Sequence, residues 1–426
     1  GEPIEFGATV ASPAELAAGR TSGVRFSVGA KPVRASFSGT MQAAANWQAE
    51  GDVNLSTASL RDLSAWLDGP GGEGATFGAA SVEGRARLSP GFLSLTEATL
   101  RLDGNEAEGA LTYSAGPTRP SLAGTLALDT LDLTPYIDEL NQTRDLAGWR
   151  SWTVPIAALE AIDLDLRASA NEVLTGPIRL GRTAGAATVS AGRLAASLGE
   201  AQLFGGRLVG SFDAGPKEGG AELRLSARVD DIPARAALSQ LLGLTAIDGT
   251  GSGEVALAAQ GPTFGALLRS LAGSGSVQIA NGAISGVEIG AIVRAVRSGS
   301  FKPLDSLIGG SSPFTRLSAG IAIKDGKAES DDLSVAGVDY SIELDGAAPL
   351  GEPAISGRGR LMIDRNRIAR DTAPDTVAVP FLIGGRWSEP TVVPDFDGLL
   401  RHAGEVPRLG QHGELADLAI APDLVE

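Results

Sequence analysis

The sequence predicts a mainly β protein: a long antiparallel sheet with one apolar face and a few short helices capping it. Three observations predict this. Apolar residues recur at every second position in run after run, turn dipeptides separate the runs, and helical spacing is confined to short pieces.

The alternation comes first. Ile162, Leu164, Leu166 and Ala168 alternate with Asp163, Asp165 and Arg167, and Leu223, Leu225, Ala227 and Val229 alternate with Arg224, Ser226 and Arg228. Ile321 and Ile323, and Tyr340, Ile342 and Leu344, repeat the pattern. Successive strand side chains point to opposite faces, so each run has one greasy and one wet surface. Such strands suit an antiparallel sheet with one buried face. Asp103-Gly104, Asn281-Gly282, Asp325-Gly326 and Asp345-Gly346 read as hairpin turns.

The predicted helices are short. Leu60, Leu63 and Leu67 share a stripe; Pro233–Leu242 and Pro262–Leu271 each open on a proline, which a first helical turn tolerates. Ile289, Ile292, Val293 and Val296 form a fourth stripe within Val287–Val296, with Arg294 and Arg297 off it. That stripe suits a lid packed on the sheet, or a helix lying on a membrane surface.

The strand units resemble one another. Leu93, Leu95, Glu97 and Ala98 lead to Gly109 and then Gly116-Pro117; Leu194, Leu198, Glu200 and Ala201 lead to Gly210 and then Gly215-Pro216. A weaker echo runs from Leu333 through Asp345-Gly346 to Pro349-Leu350. Helices interrupt the period, so the pattern is a meander extended by hairpins and not a tight solenoid. Gly69–Gly78 and Ser298–Pro313 read as exposed loops. Residues 1–404 are expected to form one elongated body, followed by a disordered acidic tail over 405–426. The chain opens at Gly1 with no leader, and Ile4-Glu5-Phe6 is strand-like at once, which suggests an internal piece of a longer protein.

Composition narrows the function. The net charge of −16 argues against nucleic acid as a partner, since such binders need a basic footprint. The absence of cysteine removes disulfides, thiolate metal sites and cysteine nucleophiles. The two histidines, His402 and His412, sit near the C-terminus, so no histidine centre is expected in the body. The longest uncharged stretch, Ser270–Val287, is rich in Gly and Ser, whereas a spanning helix needs about 20 mostly apolar residues.

No catalytic constellation emerges, and no metal or cofactor is expected. A G-x-S-x-G nucleophile elbow is absent. Gly320–Lys327 is one residue too long for a phosphate loop, and Ala328 stands where a Ser or Thr would reach Mg²⁺. Gly249, Gly251 and Gly253 open a strand. Asp163 and Asp165 share a strand face, as a glycosidase pair or calcium site could, yet a solvated face accounts for them. Asp331-Asp332 lacks calcium-loop spacing. Arg358, Arg360, Arg365, Arg367 and Arg370 fall within 13 residues of an acidic protein. They suit lipid phosphates or an acidic partner, or simply a wet strand face and turn.

So much one-sided sheet, with aromatics at only 5%, leaves two options. The sheet folds over on itself, or its apolar face stays partly open as a groove. At about 0.8 kcal/mol per buried CH₂, shielding some sixteen methylenes of an acyl chain is worth roughly 13 kcal/mol. The residues expected to face inward, and to line any groove, are Leu126, Leu128, Leu164, Leu166, Leu223, Leu225, Ile321, Ile323, Ile342, Leu344, Leu361 and Ile363.

Several segments resemble the AsmA family of bacterial envelope proteins. Leu126 through Leu131-Asp132-Leu133 to Pro135-Tyr136-Ile137 is similar to its strand ending in "LDL-x-PY". Ala201 to Leu203-Phe204-Gly205-Gly206 resembles "A-x-LYGG", with Phe for Tyr. Leu271 to Gly275 and Asn281 to Ile289 resemble "L-x-G-x-G … GAI-x-GIDL", with Val287-Glu288 for Ile-Asp. Thr315 to Leu317, followed by Ile323 to Gly326, also fits. Val379-Pro380 to Pro390, then Pro394-Asp395-Phe396, resemble the family's "VPV … PD" ending. The likeness covers about residues 50–400 in order and is best over 250–400.

The resemblance implies a curved, groove-forming antiparallel sheet of the repeating β-groove type in the periplasm, without catalytic residues. It also implies an inner-membrane anchor through an N-terminal helix not present in this sequence. Its implied work is to carry phospholipid toward the outer membrane, with acyl chains as ligand and outer-membrane components as further partners. Two other readings are a non-catalytic structural or adhesive β-rich envelope protein, and an enzyme acting on envelope polysaccharide through Asp163 and Asp165.

Overall fold

A computed structural model of the chain describes residues 3–43, 46–67, 76–143, 148–298, 308–364, 376–386 and 389–395. The tail expected over 405–426 lies outside them, as do residues 68–75 and 299–307.

The strands of the first half are β1 (Glu5–Val10), β2 (Thr21–Ala30), β3 (Val33–Gln42), β4 (Gln48–Thr57), β5 (Ala80–Ser89), β6 (Phe92–Leu102), β7 (Asn105–Ser114) and β8 (Ser121–Asp132). Next come β9 (Asp163–Leu174), β10 (Arg179–Ser190), β11 (Arg193–Leu203), β12 (Gly206–Lys217), β13 (Gly220–Pro233), β14 (Ile247–Gly261) and β15 (Ala272–Val287). The last are β16 (Ile308–Lys324), β17 (Lys327–Gly337), β18 (Tyr340–Pro349), β19 (Ser356–Asp364), β20 (Thr376–Arg386) and β21 (Glu389–Pro394). Short helices fill some connections: α1 (Pro13–Ala17), α2 (Leu60–Trp66), α3 (Thr134–Thr143), α4 (Ala234–Leu242), α5 (Phe264–Ser270) and α6 (Ile289–Ser298).

All 21 strands belong to one curved, unclosed sheet. Each strand pairs with its neighbours in sequence, antiparallel throughout except at one joint. β8 and β9 run parallel, a departure from the expected all-antiparallel order. A parallel pair needs a crossover, and residues 133–162 supply it through α3 and two 3-10 turns, Trp149–Ser151 and Ile156–Glu160. With strands about 4.8 Å apart, 21 of them reach roughly 95 Å along the hydrogen-bonding direction.

Register keeps one face apolar along this length. Val10 on β1 pairs with Val24, Val24 with Gly39, Gly39 with Gly51, Gly51 with Ala86, and Ala86 with Leu95. The row continues through Leu111, Gly124, Leu166, Ala187, Ala196 and Phe212. It then runs through Leu225, Leu257, Gly273, Ile323 and Ala328 to Ala348 on β18. No polar side chain interrupts it. On the other face Thr9, Arg25, Ser38, Asp52 and Arg85 are likewise consecutive partners.

Bulges and small residues bend the strands. The repeated Leu-to-Ala units carry the same irregularity, between Leu95 and Ala98 on β6 and between Leu198 and Ala201 on β11. A shift between Ser330 and Leu333 marks the third echo. A bulge inserts an unpaired residue and tightens the local bend. Ala98 and Ala201 sit inside these bends, 1% and 0% exposed. Beside Ala98 lies Gly109, where an added Cβ would fall 2.0 Å from the Thr125 carbonyl oxygen.

Several expectations need correcting. Asp103-Gly104 and Asp325-Gly326 make hairpin turns, but Asn281-Gly282 lies inside β15 and Asp345-Gly346 inside β18. Asn281 adopts a φ of 51° at the irregularity where β15 passes Gly249, so its left-handed tolerance builds a bulge and not a turn. Residues 308–313, read as loop, begin β16, because Ser312 and Pro313 pair with Ile284 and Ala283. Of the Gly69–Gly78 loop only 76–78 are described, and Thr76 is buried. The prolines precede their helices: Pro233 caps α4 and Thr263, after Pro262, caps α5.

Gly109→Val is expected to lower the free energy of unfolding by about 1–3 kcal/mol through overpacking against backbone. Gly199→Ala, whose Cβ would find its nearest neighbour at 3.8 Å, should stay within about 0.5 kcal/mol. Urea denaturation followed by circular dichroism measures both.

Candidate functional site

The apolar face forms the floor of a trough. Cross-strand partners share a face, and the register places all the residues expected to point inward on this one. Leu126, Leu128, Leu164, Leu166, Leu223, Ile321, Ile323, Ile342 and Leu344 are half-buried. Leu225 is 40% exposed, between Phe212 and Leu257. Leu361 is buried and Ile363 fully so. The described strands all lie in one sheet, and the exposure of Leu225 shows that the floor is open to solvent there. Leu95, Leu111, Phe212 and Leu257 also stand on it. Their strands carry Gly, Ala and Ser on both faces, which weakens the alternation that would have singled them out.

Antiparallel connections alternate between two rims. One rim holds α2, α4 and α6, and there the trough is closed towards its C-terminal end. Ala234 of α4 and Ile289 and Val293 of α6 are buried in a cluster with Ile279, Phe314, Leu317, Val335, Tyr340, Leu361 and Ile363. α6 is therefore a packed lid and not a helix free to lie on a membrane; the side chains of Val296 and Arg297 fall outside the description. Ser312, itself 1% exposed, fastens the lid: its Oγ accepts from the Ile289 amide at 2.8 Å and donates to the Val287 carbonyl at 2.6 Å. α4 ends where Gly243 takes a φ of 72°, letting the Gly243 and Leu244 amides donate to Ser239 and Leu238. Burial pushes the Tyr340 hydroxyl pKa up, and its Oη donates to the Pro313 carbonyl at 3.0 Å.

The opposite rim is strapped by the β8–β9 crossover. Thr153 bridges to Thr263, and the Phe264 amide donates to the Trp152 carbonyl at 3.1 Å, joining the strap to α5. Arg150 stacks over Trp149 and donates to the Gly351 carbonyl at 2.8 Å, in the β18–β19 loop. The Gly326 amide donates to the Leu271 carbonyl at 3.0 Å, adding the β16–β17 turn.

A polar clamp holds α3 near the N-terminal half of the first rim. Arg61 of α2 donates to the Thr76 carbonyl at 2.6 Å and to Glu139 of α3 at 2.5 Å. The other Glu139 oxygen accepts from the Thr76 amide at 2.6 Å. The Thr76 amide and then Arg61 hold Glu139 down at about 2. Beside it Asp103 accepts from the Phe77 and Gly78 amides and from Tyr136 Oη. Burial, then Asp103, pushes Tyr136 up to about 12.

The polar candidates lie elsewhere. Arg358 and Arg360 alternate with the floor positions Gly357, Gly359 and Leu361, so they stand on the outer face. Arg358 lies 3.8 Å from Asp395 and Arg360 3.0 Å from Glu343. They are thus paired and turned away from the trough, while Arg365, Arg367 and Arg370 fall outside the described residues. Asp163 and Asp165 are also on the outer face, engaged with the Ala191 amide at 3.2 Å and Arg167 at 3.8 Å. His402 and His412 lie outside the described residues, and among those described no group of three His, Cys, Asp or Glu could hold a metal.

The clamp sets a pH dependence. Glu139 is held at about 2 against an ordinary 4.5, so its contribution is complete above 4.5 and fades as pH falls towards 2. Glu139→Gln should lower Tm at neutral pH, and the gap to the wild type should close between pH 4.5 and 2. Thermal melts across that range check it.

No curated protein and no solved structure matches the chain. Residues 151–333 match the model of the AsmA family, spanning the second half of the crossover, α4 to α6 and the strands from β9 into β17. This match supports the resemblance to the AsmA family, a bacterial envelope family, over residues 151–333.

Proposed function

We propose that the trough binds lipid acyl chains and that the protein carries phospholipid between the inner and outer membranes, supporting outer-membrane assembly. One observation carries the reading: the row of ladder partners from Val10 to Ala348, apolar at every step and open to solvent at Leu225. A surface of that kind offers an acyl chain the same environment at each strand. At about 0.8 kcal/mol per buried CH₂ the gain grows with every methylene laid on it, while translation along the row changes the contacts little. The headgroup stays at a rim, in water. Such transfer needs no bond making, which fits a protein that works without a catalytic centre. The match to the AsmA family over residues 151–333 supports a place in the bacterial envelope. We place the body in the periplasm, tethered to the inner membrane.

Leu225 is the best probe, being the exposed point of the floor between Phe212 and Leu257. The chain purified from a bacterial periplasm should carry phospholipid by native mass spectrometry and lipidomics. Leu225→Asp and Leu164→Asp should reduce that lipid several-fold in folded protein, since a carboxylate is costly against acyl chains. Arg358→Ala, on the outer face, should leave it unchanged. A folded, lipid-free wild-type protein would overturn the proposal and favour a structural or adhesive role.

A further inference from the structure

The segment that carries α6 leaves the sheet through a set of glycines. β15 and β16 pair up to Ser285 and Ser311, and beyond them Val287 faces Ile308, so Gly286 stands opposite Gly309 and Gly310. All three take left-handed backbone angles, with φ of 92°, 94° and 86°. A Cβ built on Gly286 or Gly309 would meet no atom within 4 Å, so the space beside both is open. Glycine has the widest choice of backbone angles, and hinges are a few loop or element-end residues that absorb changes in φ and ψ. Firm anchors lie just outside these positions. The Ser285 amide donates to the Ala246 carbonyl at 2.7 Å, and Tyr340 Oη donates to the Pro313 carbonyl at 3.0 Å. The ion pair of Arg294 with Glu288, at 2.6 Å, lies within the lid and travels with it. Ser312 is the latch, reaching from β16 to the Val287 carbonyl and the Ile289 amide.

Beneath the lid the floor continues. Ile279, Leu317, Val335, Ile342 and Leu361 are consecutive ladder partners. Ile279 and Leu317 share a face with Gly273 and Ile323 of the row through Leu225, about 20 Å away along the same two strands. The sealed compartment and the open trough are therefore one surface. Ile289 and Val293 of α6, each 4% exposed, occupy its sealed part.

We infer that α6 is a lid that opens, swinging about Gly286 and the Gly309-Gly310 pair, to uncover a second compartment for an aliphatic chain over Ile279, Leu317, Val335 and Leu361. The ligand rests on the acyl-chain reading of the trough; the motion does not. In the closed state Ile289 and Val293 stand where such a chain would lie, so the lid limits how much of the floor can be loaded. A chain that reaches the compartment replaces those contacts with its own methylenes and so shifts the lid towards open. Opening of this kind is local, and costs less than unfolding the sheet.

The chain has no cysteine, so one introduced thiol reports one site. Val293→Cys puts it on the inner face of the lid, and Ala201→Cys puts it at a 0% exposed position on β11, four strands from β15. A maleimide should label the first at least tenfold faster than the second in the folded, full chain. Ser312→Ala, added to each, should widen that ratio at least threefold. A mere loss of overall stability exposes both thiols and cannot widen it. Amide exchange at Ile289 and Val293 should quicken in step in Ser312→Ala, while the Ser285 amide, outside the hinge, keeps its protection. Sodium oleate should speed labelling of Val293→Cys at least threefold and leave Ala201→Cys unchanged. Equal labelling of the two thiols, an unchanged ratio in folded Ser312→Ala, or a Ser285 amide that exchanges with the lid would overturn the hinge. A lid that opens but ignores oleate would overturn the aliphatic ligand and leave the motion standing.

Discussion

Register is the constraint on which the rest depends. A strand shifted by one residue would turn its apolar set to water and its charges to the floor. Here that condition holds at joint after joint, from Val10 through Gly39, Leu111, Leu166 and Leu225 to Ala348. The bulges are compatible with it because their neighbours compensate. Past the β6 bulge Ala98 returns to the floor beside Gly109, and past the β11 bulge Ala201 does so beside Leu208. Small residues on the inside of each bend let the sheet curve without breaking the row.

A half-buried floor and a sealed one coexist in the same sheet. Towards the C-terminal end, α4 and α6 fill one rim and make an ordinary core around Ile363, which is 0% exposed. Around Leu225 no helix does so. The difference lies in the connections: the β13–β14 and β15–β16 links carry apolar helices, whereas β11–β12 and β12–β13 turn through Phe204-Gly205 and Glu218-Gly219 alone. Loop length thus decides where the trough is a core and where it stays open.

Much of this was legible in the sequence, and the exceptions share a cause. Strands with charges between leucines, such as β9 and β13, announce both themselves and their inner face. The stretch from Gly309 to Pro313 has no apolar period, and only its partners on β15 make it strand. Asn281-Gly282 and Asp345-Gly346 have turn chemistry but sit where long neighbours hold them extended or bulged. The strap was hidden for the same reason, since Arg150 and Gly351 are 201 residues apart. The arginine cluster was visible as a cluster, but the direction of Arg358 and Arg360 depends on the parity of Gly357, Gly359 and Leu361, which share the strand and take the inner face.

The parallel joint between β8 and β9 has a consequence for how the chain acquires its shape. Nearly every other pairing joins strands adjacent in sequence through a turn or short helix, so closing each loop costs little entropy and the sheet can zip from many starting points. At β8–β9 residues 133–162 must cross from rim to rim before the strands meet. The strap then finds its anchors on α5 and at Gly351, which are synthesised much later. Chain order therefore separates two stretches of rapid, local assembly by one slow, non-local step, and the last contact of that step waits until β18 has emerged.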